Sequence, residues 1–185
     1  MQLIVAITGA SGIIYGKRLL EVLRDREVET HLVVTDAAEK VAKHELDATK
    51  ADLEKLADHA YNADNLFAPI VSGSFKMDGM VIIPCSMKTL AGIAHGYSQN
   101  LVLRAADVTL KEKRRLILVP RETPLSAIHL RNMLELAKQG ALIVPAIPAF
   151  YHEPKTIEDI IDFVVGKVLD CLGIEHQLFK RWPGA

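Results

Sequence analysis

Apolar residues in this chain come in short unbroken runs: Leu3–Thr8, Thr30–Thr35, Gly79–Pro84, Leu116–Pro120 and Ala141–Pro145. None of these runs alternates with polar residues, which is the pattern of strands covered on both faces. Between them lie amphipathic stretches of helical length: Ile13–Arg26, Ala37–Glu45, Thr49–His59, Lys88–His95, Leu101–Lys111 and Leu125–Gln139. A last one, Ile157–Leu172, follows the proline-punctuated segment "PAIPAFYHEP". Strands alternating with helices predict an open parallel α/β sheet, doubly wound and Rossmann-like, with helices on both faces. No repeat, low-complexity tract or linker interrupts the sequence, so one domain over residues 1–185 is expected.

In such a sheet, ligands sit beyond the carboxyl ends of the strands, at the crevice where strand order reverses. The loops to inspect are therefore "TGASG", "TDAAE", "PCSMKTLAG", "PRETPLS" and "PAIPAFYHEP". In the first, Gly9 and Gly12 permit a tight turn and close backbone approach, and a helix N-terminus follows, which favours an anion such as phosphate. A bare glycine pattern does not choose between a flavin, a dinucleotide and a plain turn. For NAD, Asp36 would hold a ribose hydroxyl, yet it equally suits the cap of a helix starting at Ala37, as does Thr35.

Ser86 and Thr89 can cap a helix while offering hydroxyls to a ligand, or simply start that helix. Arg121 and Glu122 directly follow the apolar strand ending "LILVP", where a phosphate clamp can stand beside a general acid or base. A solvated ion pair is the plainer reading. Pro124 suits the first turn of a helix capped by Thr123. Arg104 and Lys111, seven residues apart, share one helix face, as a solvated basic face also would.

The composition narrows the field. A formal net charge of −1 leaves no polyanion-binding footprint, so nucleic acid is not an expected partner. Cys85 and Cys171 are too few for a disulfide framework or zinc knuckle, and a reducing, cytoplasmic setting is expected. Cys85 reads as a small buried hydrophobe rather than a nucleophile. The N-terminus has no basic region before its first apolar run, so no signal peptide is expected. No apolar run approaches the roughly 18 residues of a membrane span. The seven histidines form no HExxH or equivalent ligand spacing, so no metal site is expected.

Taken together, "TGASG", "SGSF" at Ser72–Phe75, "PCSMKTLAGIAHGY", "RAADVTLKE", "RETPLS" and "PAFYHEP" resemble, in this order, the UbiX family of flavin prenyltransferases. The resemblance runs from Leu3 to Trp182. It implies a flavodoxin-like fold, FMN as bound flavin, and a homododecamer. It also implies transfer of a dimethylallyl group from dimethylallyl monophosphate to N5 and C6 of reduced FMN, without a metal. The product, prenylated FMN, would serve a UbiD-type decarboxylase.

By motif, the resemblance puts Gly9, Ala10, Ser11 and Thr35 against FMN. Ser86, Met87, Lys88 and Thr89 cradle it, and Arg121 contacts it. Arg104, Lys111, Tyr151 and Lys167 resemble the set that handles the donor phosphate. Glu122 matches a carboxylate implicated in proton transfer, and Ser11 a serine near flavin N5, so Ser11, Glu122 and Lys111 form the implied catalytic group. Glu45 and Trp182 match further site residues, Glu45 reaching a neighbouring subunit's site. Two positions depart from the family pattern: Lys167 stands where arginine is common, losing the bidentate fork, and Thr35 where serine is frequent.

Two alternatives share the flavin. One is a peptidyl- or phosphopantothenoyl-cysteine decarboxylase, but the "PASANT"-like and "PxMNxxMW"-like segments of those enzymes are absent. The other is a non-catalytic flavin carrier for a decarboxylase, which would not need Ser11, Lys111 and Glu122 together.

Overall fold

A computed structural model describes residues 1–184. The elements follow one another as β1 (Gln2–Ile7), α1 (Ile13–Arg24), β2 (Glu29–Val34), α2 (Asp36–Leu46), α3 (Lys50–Glu54), β3 (His59–Asn62), β4 (Gly79–Cys85), α4 (Met87–Ala94), α5 (Leu101–Lys111), β5 (Arg115–Pro120), α6 (Ala127–Lys138), β6 (Leu142–Ile143) and α7 (Ile157–Leu172). A short 3-10 turn at Pro69–Val71 leads toward β4. All strands pair in parallel, in the order β3-β2-β1-β4-β5-β6. Without the edge strand β3, this is the flavodoxin-like order, and it reverses between β1 and β4.

Each central strand feeds two cores because successive side chains point to opposite faces. Leu3, Val5 and Ile7 join α1 and α7 on one face, while Ile4 and Ala6 join α4 and α5 on the other. That double burial explains the unbroken apolar runs. At ~25 cal/mol per Å² of apolar area, such fully covered strands carry most of the favourable burial energy.

Four expectations change. The predicted helix Thr49–His59 shrinks to Lys50–Glu54, closed by a capping box in which Thr49 and Asp52 satisfy one another's backbone amides. His59–Asn62 instead forms β3, a polar strand whose pairing to β2 is decided by tertiary contact and not by its own pattern. Helix α6 begins at Ala127 with Ser126 as its cap, so Thr123 and Pro124 lie before it as a cis peptide in the loop. At the opposite edge β6 is only two residues long, although the Val144 and Ala146 amides still donate to the Leu118 and Pro120 carbonyls of β5 at 2.8 and 3.2 Å.

Candidate active site

The β1–β4 reversal opens a cleft of about 550 Å³ at the carboxyl edge of the sheet. Its floor is tied together by Thr8, which is buried; its hydroxyl donates to the Pro84 carbonyl and accepts from the Ser86 amide, both at 2.8 Å. Gly9 lines the wall against Ala37, where any Cβ would overlap the alanine side chain, so only glycine lets these two segments approach. Thr35 caps α2, its Oγ1 accepting from the Ala38 amide at 3.3 Å, so the cap role falls to Thr35 and Asp36 is the first helical residue. Opposite, Ser86 caps α4 by accepting from the Thr89 amide at 3.3 Å and meets the Thr89 hydroxyl at 3.1 Å. Lys88 adds a positive charge beside them.

Gly9, Thr35, Ser86, Lys88 and Thr89 thus meet in one cleft. Ala10 is buried, Ser11 is exposed on the glycine turn, and Met87 packs into the core under α4. Asp64, Tyr97, Gln99 and Asn100 also line the cleft and were not singled out from the sequence. They arrive from the β3–β4 and α4–α5 connections, and the only local signal was the polar "YSQN" before α5, where Asn100 is the cap.

The glycine turn itself behaves differently from its sequence reading. Gly12 has φ 102 and N-caps α1, and the Glu45 carboxylate accepts from the Gly12 and Ile13 amides at 3.0–3.1 Å. A carboxylate of this same chain therefore occupies the place where phosphate was expected, as the helix dipole favours. Within one chain, Glu45 is turned onto its own glycine loop.

Around the rim, the Arg121 amide donates to the Cys85 carbonyl at 3.3 Å, and its side-chain Nε is buried without a hydrogen-bond partner. Glu122 is exposed and accepts from the Thr123 amide at 3.0 Å. Burial pushes the Cys85 thiol up to about 12, so it is inert as a nucleophile.

The remaining predicted residues fall into two groups. Arg104 pairs with Asp107 at 2.7 Å and Lys111 with Glu112 at 2.5 Å, both from α5. Tyr151 stacks edge-to-face on Phe163 of α7 and on Trp182, each at 5.8 Å between centroids. Lys167 of α7 meets Asp170 at 3.3 Å, and the same carboxylate receives Arg181 at 2.7 Å and His176 at 3.2 Å. The Arg181 hydrogen bond above all, then Lys167, holds the Asp170 carboxyl down at about 2. Helices α5 and α7 lie on opposite faces of the sheet, so one chain does not bring Arg104 and Lys111 to Tyr151, Lys167 and Trp182.

Fold and cleft together define a doubly wound protein with a ligand site at its strand-order reversal. The Flavoprotein family model matches residues 1–169. Flavin prenyltransferase UbiX of Methanocaldococcus jannaschii is 56% identical over 182 residues, which cover 98% of this chain and 98% of that one. The chain belongs to the flavoprotein family and, within it, to the UbiX flavin prenyltransferases. A UbiX structure in complex with FMN and dimethylallyl pyrophosphate is 50% identical with TM-score 0.98, covering 100% of this chain and 98% of that one. A dodecameric FMN-dependent UbiX-like decarboxylase from Escherichia coli is 52% identical with TM-score 0.97, covering 100% of both chains. Peptidyl-cysteine decarboxylase EpiD, at 17% identity and TM-score 0.66, shares the fold alone.

Proposed function

We propose that this chain binds FMN in the β1–β4 cleft and transfers a dimethylallyl group from dimethylallyl monophosphate to the reduced flavin. The observation that carries this reading is the convergence of Gly9, Thr35, Ser86, Lys88 and Thr89 on one cleft at the strand-order reversal. A cleft with a glycine wall, the hydroxyls of Thr8, Thr35, Ser86, Thr89 and Tyr97, and one lysine fits a planar, phosphorylated, hydrogen-bonding ligand. The buried, unpartnered Arg121 Nε belongs to the residue that follows β5 and whose amide bonds Cys85, next to Ser86. Gly9, Ala10, Ser11, Thr35, Ser86–Thr89 and Arg121 would hold it. When bound and reduced, the flavin supplies the nucleophilic N5 and C6 positions.

The rest of the chemistry falls to side chains. Departure of the donor phosphate builds negative charge, which Arg104, Lys111, Lys167 and the Tyr151 hydroxyl stabilise. Positive charge on the allyl group is offset by the aromatic faces of Tyr151 and Trp182. Glu122, exposed and held at one oxygen by the Thr123 amide, accepts the proton lost during ring closure. Ser11, exposed on the glycine turn, would hold a proton toward the bound flavin.

Because the residues proposed for the donor phosphate sit on opposite faces of one sheet, we assign the complete site to a homo-oligomer in which one copy supplies α5 and another the α7–tail cluster; the similar dodecameric structure supports twelve copies. Exposed Ile128, Leu130 and Leu134 on α6 are the apolar surface such an assembly would cover. Among the described residues no helix is long and apolar enough to cross a membrane. Two free cysteines suit a reducing, cytoplasmic setting. The product's chemistry suits a UbiD-type decarboxylase as its acceptor.

The test is anaerobic incubation of the protein with reduced FMN and dimethylallyl monophosphate, followed by mass spectrometry of the extracted flavin. A flavin heavier by one prenyl unit supports the reading. Unmodified flavin with both the monophosphate and the diphosphate donor overturns it.

A further inference from the structure

The amino edge of the sheet, away from the cleft, holds a cluster that prenyl transfer does not use. Strands β2 and β3 pair so that His31 lies opposite His59. Residues two apart on a strand share a face, so Glu29 stands beside His31 and Tyr61 beside His59. The polar edge strand that sequence patterning passed over therefore completes a constellation of two imidazoles and a carboxylate. Glu29 Oε1 is 2.9 Å from His59 Nε2 and 3.7 Å from His31 Nε2, and the three candidate donor atoms lie within 4.8 Å of one another.

We propose that Glu29, His31 and His59 form a binding site for a divalent transition metal of the zinc class. Metal bonds of about 2.0–2.2 Å in tetrahedral geometry separate ligand atoms by about 3.4 Å, so the two measured spacings bracket the requirement. Two imidazoles and one carboxylate suit a borderline-soft cation and leave a fourth position for water. His59 and Glu29 are partly exposed, which provides an entry path.

The supporting shell points the same way. His31 is buried, its side chain only 3% exposed, yet its Nε2 has no hydrogen-bond partner. Its other nitrogen, Nδ1, meets the Tyr61 hydroxyl at 2.9 Å. A hydroxyl accepting from Nδ1–H leaves Nε2 with a free lone pair, the usual arrangement of a metal-binding histidine. The His59 ring stacks on His31 with centroids 4.5 Å apart, so His59, which is exposed, would turn about its side-chain torsions to aim its own Nε2 at the same ion. The second carboxylate oxygen of Glu29 is fixed by the Gln2 side chain at 2.7 Å, leaving Oε1 for the ion. An edge strand has one sheet neighbour only, and a cation shared by β2 and β3 would fasten it there.

The experiment uses the full chain without an affinity tag, stripped with a chelator and titrated with Co²⁺ as a visible probe. One equivalent should give the absorption of a four-coordinate ion, and Zn²⁺ should displace it and raise the melting temperature. His59→Ala should abolish the band and the thermal shift while FMN binding is kept. Tyr61→Phe should weaken affinity by about 10–100-fold, the usual loss when a ligand's hydrogen-bond partner is removed. Should His59→Ala fail to fold, Glu29→Gln, which can still bond Gln2, carries the same test. Absence of the band in the parent protein, or its persistence in both variants, overturns the proposal.

Discussion

The flavin cleft and the donor-phosphate residues are built in opposite ways. The cleft is a product of topology: β1, β2 and β4 end side by side, so Gly9, Thr35 and Ser86 meet in a single chain. The donor residues are carried by α5 and α7, which the sheet keeps apart. Parallel order thus gathers the cleft residues within one chain, whereas the residues proposed for the donor phosphate, on helices of opposite faces, would need a second copy to meet.

The largest effect should separate chemistry from binding. Glu122→Gln should leave FMN affinity unchanged and slow prenylation about 10²–10⁴-fold, the usual range for a general acid or base; single-turnover mass spectrometry of the flavin would read it. Unchanged turnover removes Glu122 from the mechanism.

Placing a charge on the α6 face should break the comparison at its weaker side. Leu134→Glu should dissociate the copies on size-exclusion chromatography and withdraw the cations of α5. Each lost charge-assisted contact is worth about 1.5–3 kcal/mol, so turnover should fall at least tenfold while the cleft retains FMN.

Gly9→Ala attacks the other side. The new methyl overlaps Ala37, an overpacking cost of about 1–3 kcal/mol, which should appear as a lower denaturation midpoint together with weakened FMN fluorescence quenching. Lys167→Arg should act in the milder, opposite sense, lowering KM for the donor by restoring a bidentate fork with kcat nearly unchanged.

The smallest effect concerns the tail. The Asp170 carboxyl lies at about 2, below its ordinary value of 3.8, through Arg181 first and Lys167 second. Its contribution is therefore fully present above 3.8 and is lost as pH falls through about 2. Trp182 is the chain's single tryptophan, so its fluorescence reports tail docking directly. Asp170→Asn should remove that acid transition.

How far the sequence reached can be judged from particular residues. The buried strands were legible because burial on both faces leaves an unbroken apolar signature, as in Leu3–Ile7. Ser86 as a cap was legible because capping is local chemistry. β3 was not, since "HAYN" has no strand pattern and is held by its neighbour. The role of Glu45 was equally hidden, because 33 residues separate it from the Gly12 amide it binds.

By itself, then, the sequence determined the α/β alternation, the carboxyl-edge loops and the family motifs, all properties of contiguous segments. Tertiary structure alone decided the strand order that opens the cleft, the sheet that divides the cations, and the register that sets His31 against His59. The physical reason is range: caps, turns and burial patterns act over a few residues, whereas pairing and facing are settled only when the whole sheet closes.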